Sequence, residues 1–263
     1  MTTASTSVSS SAPARLLQLT LVPVLLIIIW QLWATYVASD PRTPMPTKVA
    51  ATFVDLVATG GLVGALLQSL LRVISGFAIA LVTGTTLGVL MGSYPGVRNS
   101  LDPIVEAFRP LAPMAILPII LLWFGTGTLA ATAIVTYAAF FPLLLNTISG
   151  VRNVDRRLVD AARTMGVGRA ALLTKVIVPA AFPTVMVGFR LAFAGAWAAI
   201  IAAELIGSPS SLGFAIEWYR QLLMSSKVFA FIVTIGFLGY LCDVGLRALQ
   251  RWLTPWAEGT GLS

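Results

Sequence analysis

Apolar residues gather in six long runs along the chain, at 16–38, 64–92, 104–124, 129–149, 182–206 and 228–249, with shorter polar segments between them. A helix needs about 20 mostly apolar residues to cross the hydrocarbon layer. Each run meets that length. The pattern predicts an all-α polytopic membrane protein with six transmembrane helices. The first run exceeds a signal-peptide core of about 7–15 residues, and no suitable small-residue cleavage site follows it. It is therefore expected to be retained as a span. Residues 1–15, rich in Ser, Thr and Ala, are expected to form a disordered tail. Residues 16–256 form one transmembrane domain, and 257–263 a C-terminal tail.

Two runs break the ordinary pattern. The third carries Pro110, Pro113 and Pro118. Proline removes a backbone donor and clashes with the preceding turn, so this helix is expected to be kinked or broken. Such a break survives in a membrane where protein or a wet cavity covers it. The fifth run is dense in small residues, among them Gly188, Ala192, Gly195, Ala196 and Ala199. Small residues let helix backbones approach closely, which predicts a central place in the bundle. Of the polar segments, 39–61 predicts a short helix from Thr47, its N-cap, to Thr59. Segment 207–227 holds Gly207, Pro209 and Gly213 and then an amphipathic stretch.

Composition agrees with this reading. The 263 residues are 57% hydrophobic and 10% charged, where a soluble domain carries about 25% charge. Histidine is absent and Cys242 is the single cysteine, so no intrachain disulfide and no Cys/His zinc site is possible. Lys and Arg in short loops set orientation. With both termini in the cytoplasm, the inner loops hold eleven such residues. They are Arg15, Arg98, Arg109, Arg152, Arg156, Arg157, Arg163, Arg169, Lys175, Arg247 and Arg251. The outer loops hold four, Arg42, Lys48, Arg220 and Lys227. The net charge of +7 is thereby mostly topological, and no nucleic-acid partner is implied. Tryptophans fit the same orientation, with Trp30, Trp33, Trp123 and Trp218 near the outer interface and Trp252 and Trp256 near the inner one.

The longest basic segment, Val151 to Ala181, lies between the fourth and fifth runs. Leu158, Ala161, Ala162 and Met165 recur at steps of three and four, with Arg156, Arg157, Asp160, Arg163 and Thr164 between them. This predicts an amphipathic helix of about three turns, roughly 16 Å long. Asp155 suits its positive N-terminal end and Arg163 the opposite end. Gly166 can take the left-handed conformation that stops a helix. A second helical piece, Ala170 to Val178, leads to Pro179 and Pro183. From physical chemistry alone, such a rod fits a soluble partner or an anionic lipid surface equally well.

The spacing Asp160-Ala161-Ala162, Gly166, Val176-Ile177-Val178-Pro179 resembles the EAA loop of permease subunits of binding-protein-dependent ABC importers. The family pattern is Glu-Ala-Ala, three residues, Gly, nine residues, then Ile-x-Leu-Pro. All offsets hold, with Asp for Glu and Val176 and Val178 for Ile and Leu. The segments SLLRVISGFAIALVTGTTLGVLMG (69–92), LDPIVEAFRPLAPMAILPIILLWFGTG (101–127) and GFRLAFAGAWAAIIAAEL (188–205) are similar to the nitrate/sulfonate/taurine group of these permeases. The likeness covers about residues 20–255. It implies a type I ABC importer permease fold, with a cytoplasmic coupling helix between spans 4 and 5. Asp160, Ala161, Ala162, Gly166 and Pro179 would carry the docking to the ATPase. The implied assembly in a bacterial inner membrane is two permease copies, in the simplest case a homodimer, two ATPase subunits and one extracytoplasmic solute-binding protein. The chain lacks GxxxxGK[ST] and so has no phosphate-cradling loop. No cofactor is expected on it; ATP and Mg belong to the partner ATPase.

Charges within the runs point two ways. Arg72, Arg190 and Glu204 sit at membrane depth, where a charge normally faces a partner or a wet cavity. Arg190, Trp197 and Glu204 are seven apart and share one stripe. They and Arg72 could line a positively biased path for a small anion such as nitrate, a sulfonate or taurine. They could equally pair between helices or snorkel to the interface. Glu106 and Arg109, three apart, can pair locally. A gradient-driven secondary transporter is the alternative from another class. It would favour inverted repeats and acidic sites in broken helices, and neither is evident.

Overall fold

The computed structural model describes residues 12–37 and 42–254, with side chains from residue 21 onward. Every regular element in these residues is helical. The order begins α1 (Ala12–Tyr36), α2 (Pro46–Ala58), α3 (Gly61–Ser93), α4 (Pro95–Phe108), α5 (Pro113–Phe124) and α6 (Thr128–Arg152). It continues with α7 (Arg156–Thr164), α8 (Arg169–Leu172), a π turn (Leu173–Ile177), α9 (Val178–Gly207), α10 (Leu212–Gln221) and α11 (Ser225–Leu253). Among the described residues, four helical stretches are long and apolar enough to cross a membrane: α3, α6, α8 through α9, and α11. The bent pair α4–α5 makes a fifth. Helix α1 takes in residues 16–36 of the first predicted run and starts at Ala12, inside the segment expected to be a disordered tail. The C-terminal tail and Trp256 lie outside the described residues.

The third and fifth runs depart from their predicted bounds. The third is not one span from 104 to 124. It breaks after Phe108, and α4 and α5 meet at 95°. Pro113 opens α5 at a first-turn position, where its missing N–H costs nothing. Arg109, assigned above to an inner loop, lies in this break instead. The ion pair on α4 is Arg98–Asp102 at 3.0 Å, not Glu106–Arg109. The fifth run is longer than predicted, because helix continues unbroken from Arg169 to Gly207. Pro179 does not end it. The turn just before is widened to π geometry, which relieves the clash of a proline ring with the preceding carbonyl. Nor does Thr47 cap α2. Met45 is the N-cap and Pro46 takes the first helical position, while the Thr47 N–H goes to Gln31 Oε1 at 3.3 Å.

Helix α6 lies between α3 and α9, and these three form the core. Their contact is made by glycine. On α3, Gly76, Gly84 and Gly88 lie so close to α6 that an added Cβ would fall 2.7 Å from the Thr132 carbonyl, 3.1 Å from Leu143 and 2.5 Å from Thr147. On α9, a Cβ at Gly188 would fall 2.4 Å from that of Asn146. Lipid is as apolar as leucine, so helices in a membrane gain little by hiding apolar surface from it. Dispersion at close range must hold them together instead. Beside these glycines the ring of Phe77 meets those of Phe189 and Phe193 edge to face.

One end of the core is closed by a buried polar cluster. Glu204 of α9 is fully buried, and Arg72 of α3 donates to its Oε1 from Nη1 at 3.2 Å. Its Oε2 accepts from Ser69 Oγ at 2.8 Å and from the Gly213 N–H at 3.2 Å. Ser69 in turn accepts from the Leu212 N–H at 3.1 Å. The first two amides of α10 thus find acceptors on other helices, and the third, Phe214, is capped by Ser211 at 3.3 Å. Arg72 also reaches Gln68 and, at the start of α6, Thr128, both at 3.3 Å. Three helices therefore meet at one carboxylate, and α6 joins them through Arg72.

Removing one member of such a pair strands a buried charge, which costs about 3–5 kcal/mol, whereas replacing both with apolar groups is often neutral. Arg72→Met is expected to lower the thermal unfolding temperature sharply in detergent. Arg72→Met with Glu204→Leu should recover much of the loss. Equal losses in single and double variants would show that the hydrogen bonds, not the charge pairing, dominate.

Candidate functional site

Helix α7 stands apart from the bundle at the end opposite α10, where α6 finishes and α8 begins. Its sequence fixes both of its ends. Asp155 caps the start by accepting from the Arg157 N–H at 2.9 Å. At the finish, the Gly166 N–H bonds to the Arg163 carbonyl at 2.9 Å and the Val167 N–H to the Ala162 carbonyl at 3.1 Å. That is the Schellman pattern, and it needs a left-handed residue at Gly166, whose φ is +78°. Nine residues at 1.5 Å each make a rod of about 13 Å.

The rod's inner face touches the α8–π segment, and Ala162 is the point of contact, 3% exposed. Between the two lies a cleft of about 530 Å³ bordered by Leu158, Ala161, Met165, Val176 and Pro179. Three of the five residues predicted for docking, Ala161, Ala162 and Pro179, thus border one cleft. Leu158 and Met165 stay exposed beside it. Gly166 acts through the backbone alone, since nothing lies within 4 Å of where its Cβ would be. Asp160 faces solvent and pairs with Arg163 at 3.8 Å. An exposed pair of this kind contributes little stability.

Of the residues proposed for a translocation path, the structure pairs Arg72 with Glu204 and places Trp197 and Arg190 against α11. Arg72 and Glu204 are spent on each other and buried, which leaves no surface for a solute. Trp197 is also buried, and its indole lies against the α11 backbone at Gly239. Arg190 keeps about a third of its side chain exposed, at 34%, and meets Asp243 of α11 at 3.4 Å. Asp243 is shared with Arg247. The seven-residue spacing of Arg190 and Trp197 therefore marks a packing seam against α11, as heptads commonly do. Sequence reasoning missed Ser69 and Gly213, which look ordinary in the one-dimensional pattern. A Cβ on Gly213 would meet Glu204 Cβ at 2.6 Å, so only glycine lets α10 approach the carboxylate.

At the α10 end the surface is built from α2, α10 and the start of α11. Hydrogen bonds from Arg220 and then Gln221 hold the Glu217 carboxyl down to about 2, so it stays ionised at neutral pH. Helix α10 closes with the same Schellman bonds as α7, Leu223 N–H to Arg220 and Met224 N–H to Tyr219. Here the left-handed position is taken by Leu223, at φ +56°, with its side chain exposed. A non-glycine residue there is strained, and exposed strain of this kind clusters at functional surfaces.

Comparison with known proteins places this geometry. The family model for the "Binding-protein-dependent transport system inner membrane component" matches residues 84–258. The taurine transport system permease protein TauC of Escherichia coli (strain K12) is 34% identical over 89% of this chain and 86% of its own length. The aliphatic sulfonates transport permease protein SsuC of Bacillus subtilis (strain 168) is 35% identical over 90% of this chain and 86% of its own. An inward-facing structure of the MetNI methionine ABC transporter superposes with a TM-score of 0.65 at 19% identity. It covers 74% of this chain and 96% of that one, which supports the type I permease fold. The chain belongs to the family of binding-protein-dependent transport system inner membrane components.

Proposed function

We propose that this chain is the transmembrane subunit of an ATP-driven importer for a small organic or inorganic anion. The observation that carries the reading is α7, a short rod capped at both ends and standing clear of the bundle beside a cleft. Its EAA-type spacing and the family membership give that rod a partner. The cleft takes an ATPase subunit, with Asp160, Ala161, Ala162, Gly166 and Pro179 as the contact or its support. ATP and Mg are held by that subunit. The active unit is two permease copies, two ATPases and one solute-binding protein. The taurine and sulfonate relatives support an anionic cargo.

In this arrangement ATP draws the ATPases together and the two α7 rods move with them. The helices behind the rods then turn the cavity outward. The binding protein docks at the α10 end, on α2, α10 and the exposed Leu223 turn, and releases its ligand. Hydrolysis resets the inward-facing state. Each partner must favour one conformation for this to work. Coupling should fail when the rod loses its stop. A left-handed conformation costs a residue with a Cβ about 1–2 kcal/mol, so Gly166→Val frays α7 while leaving the bundle intact. The expected result is a membrane-inserted permease whose purified complex has lost ligand-stimulated ATPase activity. Full stimulation in that variant would remove α7 from the coupling path.

The same reading puts six spans in the membrane with α1 as the first, and both termini with α7 in the cytoplasm. Arg152, Arg156, Arg157, Arg163, Arg169 and Lys175 all gather at the α7 end, which is the cytoplasmic bias expected of short loops. With Cys242 replaced by serine, a cysteine at Ala58 should react with an impermeant thiol reagent added outside spheroplasts. One at Arg156 should react only after permeabilisation. Reversed labelling would invert the molecule.

Arg190 is retained as a fixed positive group at the cytoplasmic half of the path, through the exposed third of its side chain. Its pairing with Asp243 limits what it offers a solute. Arg190→Gln should therefore lower uptake into reconstituted vesicles by no more than about five-fold, the size of an exposed charge interaction. Arg190→Lys should retain more of it. Wild-type uptake by Arg190→Gln would leave Arg190 with the α11 seam alone.

A further inference from the structure

Two charged side chains at the break between α4 and α5 stand unused among the described residues. Arg109 lies in the break and Glu106 one turn before it, and both are exposed. Among the described residues neither has a hydrogen-bond or ion-pair partner; the one ion pair of α4 joins Arg98 and Asp102. Their depth follows from the helices beside them. Helix α5 has 12 residues and runs to the start of α6, so the break lies about 18 Å from that end. Helix α6 has 25 residues and is about 37 Å long. The Tyr137 hydroxyl, nine residues into α6, sits 2.7 Å from the Phe108 carbonyl and 3.1 Å from that of Leu111, which fixes the break at the same level. The break therefore lies about 13–18 Å in from the start of α6, between a third and a half of the way along that helix.

A free guanidinium at that depth cannot face lipid. Water lies about 15 Å away on either side, half of a hydrocarbon layer of about 30 Å, and an arginine stem is too short to snorkel that far. A non-helical backbone at that depth carries the same requirement. The face bearing Arg109 is thus a wet cavity or a surface covered by protein. The other two arginines at membrane depth are already paired, with Glu204 and with Asp243.

We infer that Arg109 is the site that meets the solute half-way across the membrane, holding two oxygens of a carboxylate, sulfonate or similar oxyanion with its planar fork. The inference rests on the anion reading above. It adds the residue and the depth. Glu106, one turn away, keeps the local charge near zero, so that the site attracts an anion without trapping it.

The test uses the whole complex in vesicles, with Cys242 replaced by serine and a binding protein supplied. The probes are radiolabelled taurine, ethanesulfonate and hydrogen carbonate. Arg109→Cys should assemble to wild-type size on gel filtration and lose about ten-fold in uptake, the size of one charge-assisted hydrogen bond. The new thiol should react with charged methanethiosulfonates from water. The aminoethyl reagent, which restores a positive charge, should recover uptake, and the sulfonatoethyl reagent should not. Normal uptake by Arg109→Cys would overturn the inference, as would a thiol closed to both reagents. Loss of the assembled complex would assign Arg109 to the contact between copies and overturn it as well. If the wild-type complex accumulates none of the three probes while its ATPase still responds to the binding protein, the anion reading fails and this inference falls with it.

Discussion

The structure depends on how closely α3, α6 and α9 approach one another. A membrane offers no hydrophobic reward for joining two apolar helices, so the attraction must come from atoms in contact. Glycines on α3 and α9 supply it, leaving no room for a Cβ against α6 at Gly76, Gly88 and Gly188. Everything else is mounted on this triple. Helix α7 continues the chain from α6, α10 hangs from Glu204 at the far end of α9, and α4–α5 folds across the α3–α6 face. A loose core would blur each of these attachments at once.

Much of this was legible from the sequence, and the reasons are physical. Span existence follows from length and apolarity, which no packing detail overrides. The α7 rod was legible to its ends, because Asp155 and Gly166 are caps whose chemistry is local. The break in the third run was legible because three prolines in nine residues leave a helix little choice. Its exact place was not, since Pro113 sits comfortably in a first turn and Pro118 lies inside α5 without ending it. Pro179 shows the same limit from the other side. A helix that is long and anchored in a bundle can widen one turn rather than stop.

The charges were the least legible part. A stripe of seven-spaced residues on a small-residue helix reads as a path, yet Trp197 and Arg190 pack on α11 and Glu204 turns to α3. Periodicity says which residues share a face. It does not say whether that face meets water, lipid or another helix. Arg72 and Glu204 are 132 residues apart in sequence, and Ser69 and Gly213 join them only through the fold. No local signal marks such a cluster. Arg109 was misread for the same reason in reverse. It counted among the inner-loop charges, whereas it lies in the break between α4 and α5, inside a bent pair that is apolar enough to cross a membrane.

The long helix running from Arg169 to Gly207 ties the two ends of the molecule together. It spans 39 residues, about 58 Å if straight. Near one end, Val176 and Pro179 border the cleft beside α7. Near the other, Glu204 holds the first amides of α10 through Gly213 directly and Leu212 by way of Ser69. A rigid rod that carries a cleft at one end and a hydrogen-bonded platform at the other cannot move at one end alone. A shift at the α7 cleft must either tilt the rod, and α10 with it, or be absorbed where the rod is soft. The π turn interrupts the regular helix just before Pro179, and both Val176 within it and Pro179 beyond it border the cleft. The stretch from Val178 to Gly207 therefore runs from the cleft itself to the residues that hold α10. A displacement that the cleft passes to Pro179 is thus carried toward α10 by continuous helix, while one applied to Val176 must first cross the widened turn.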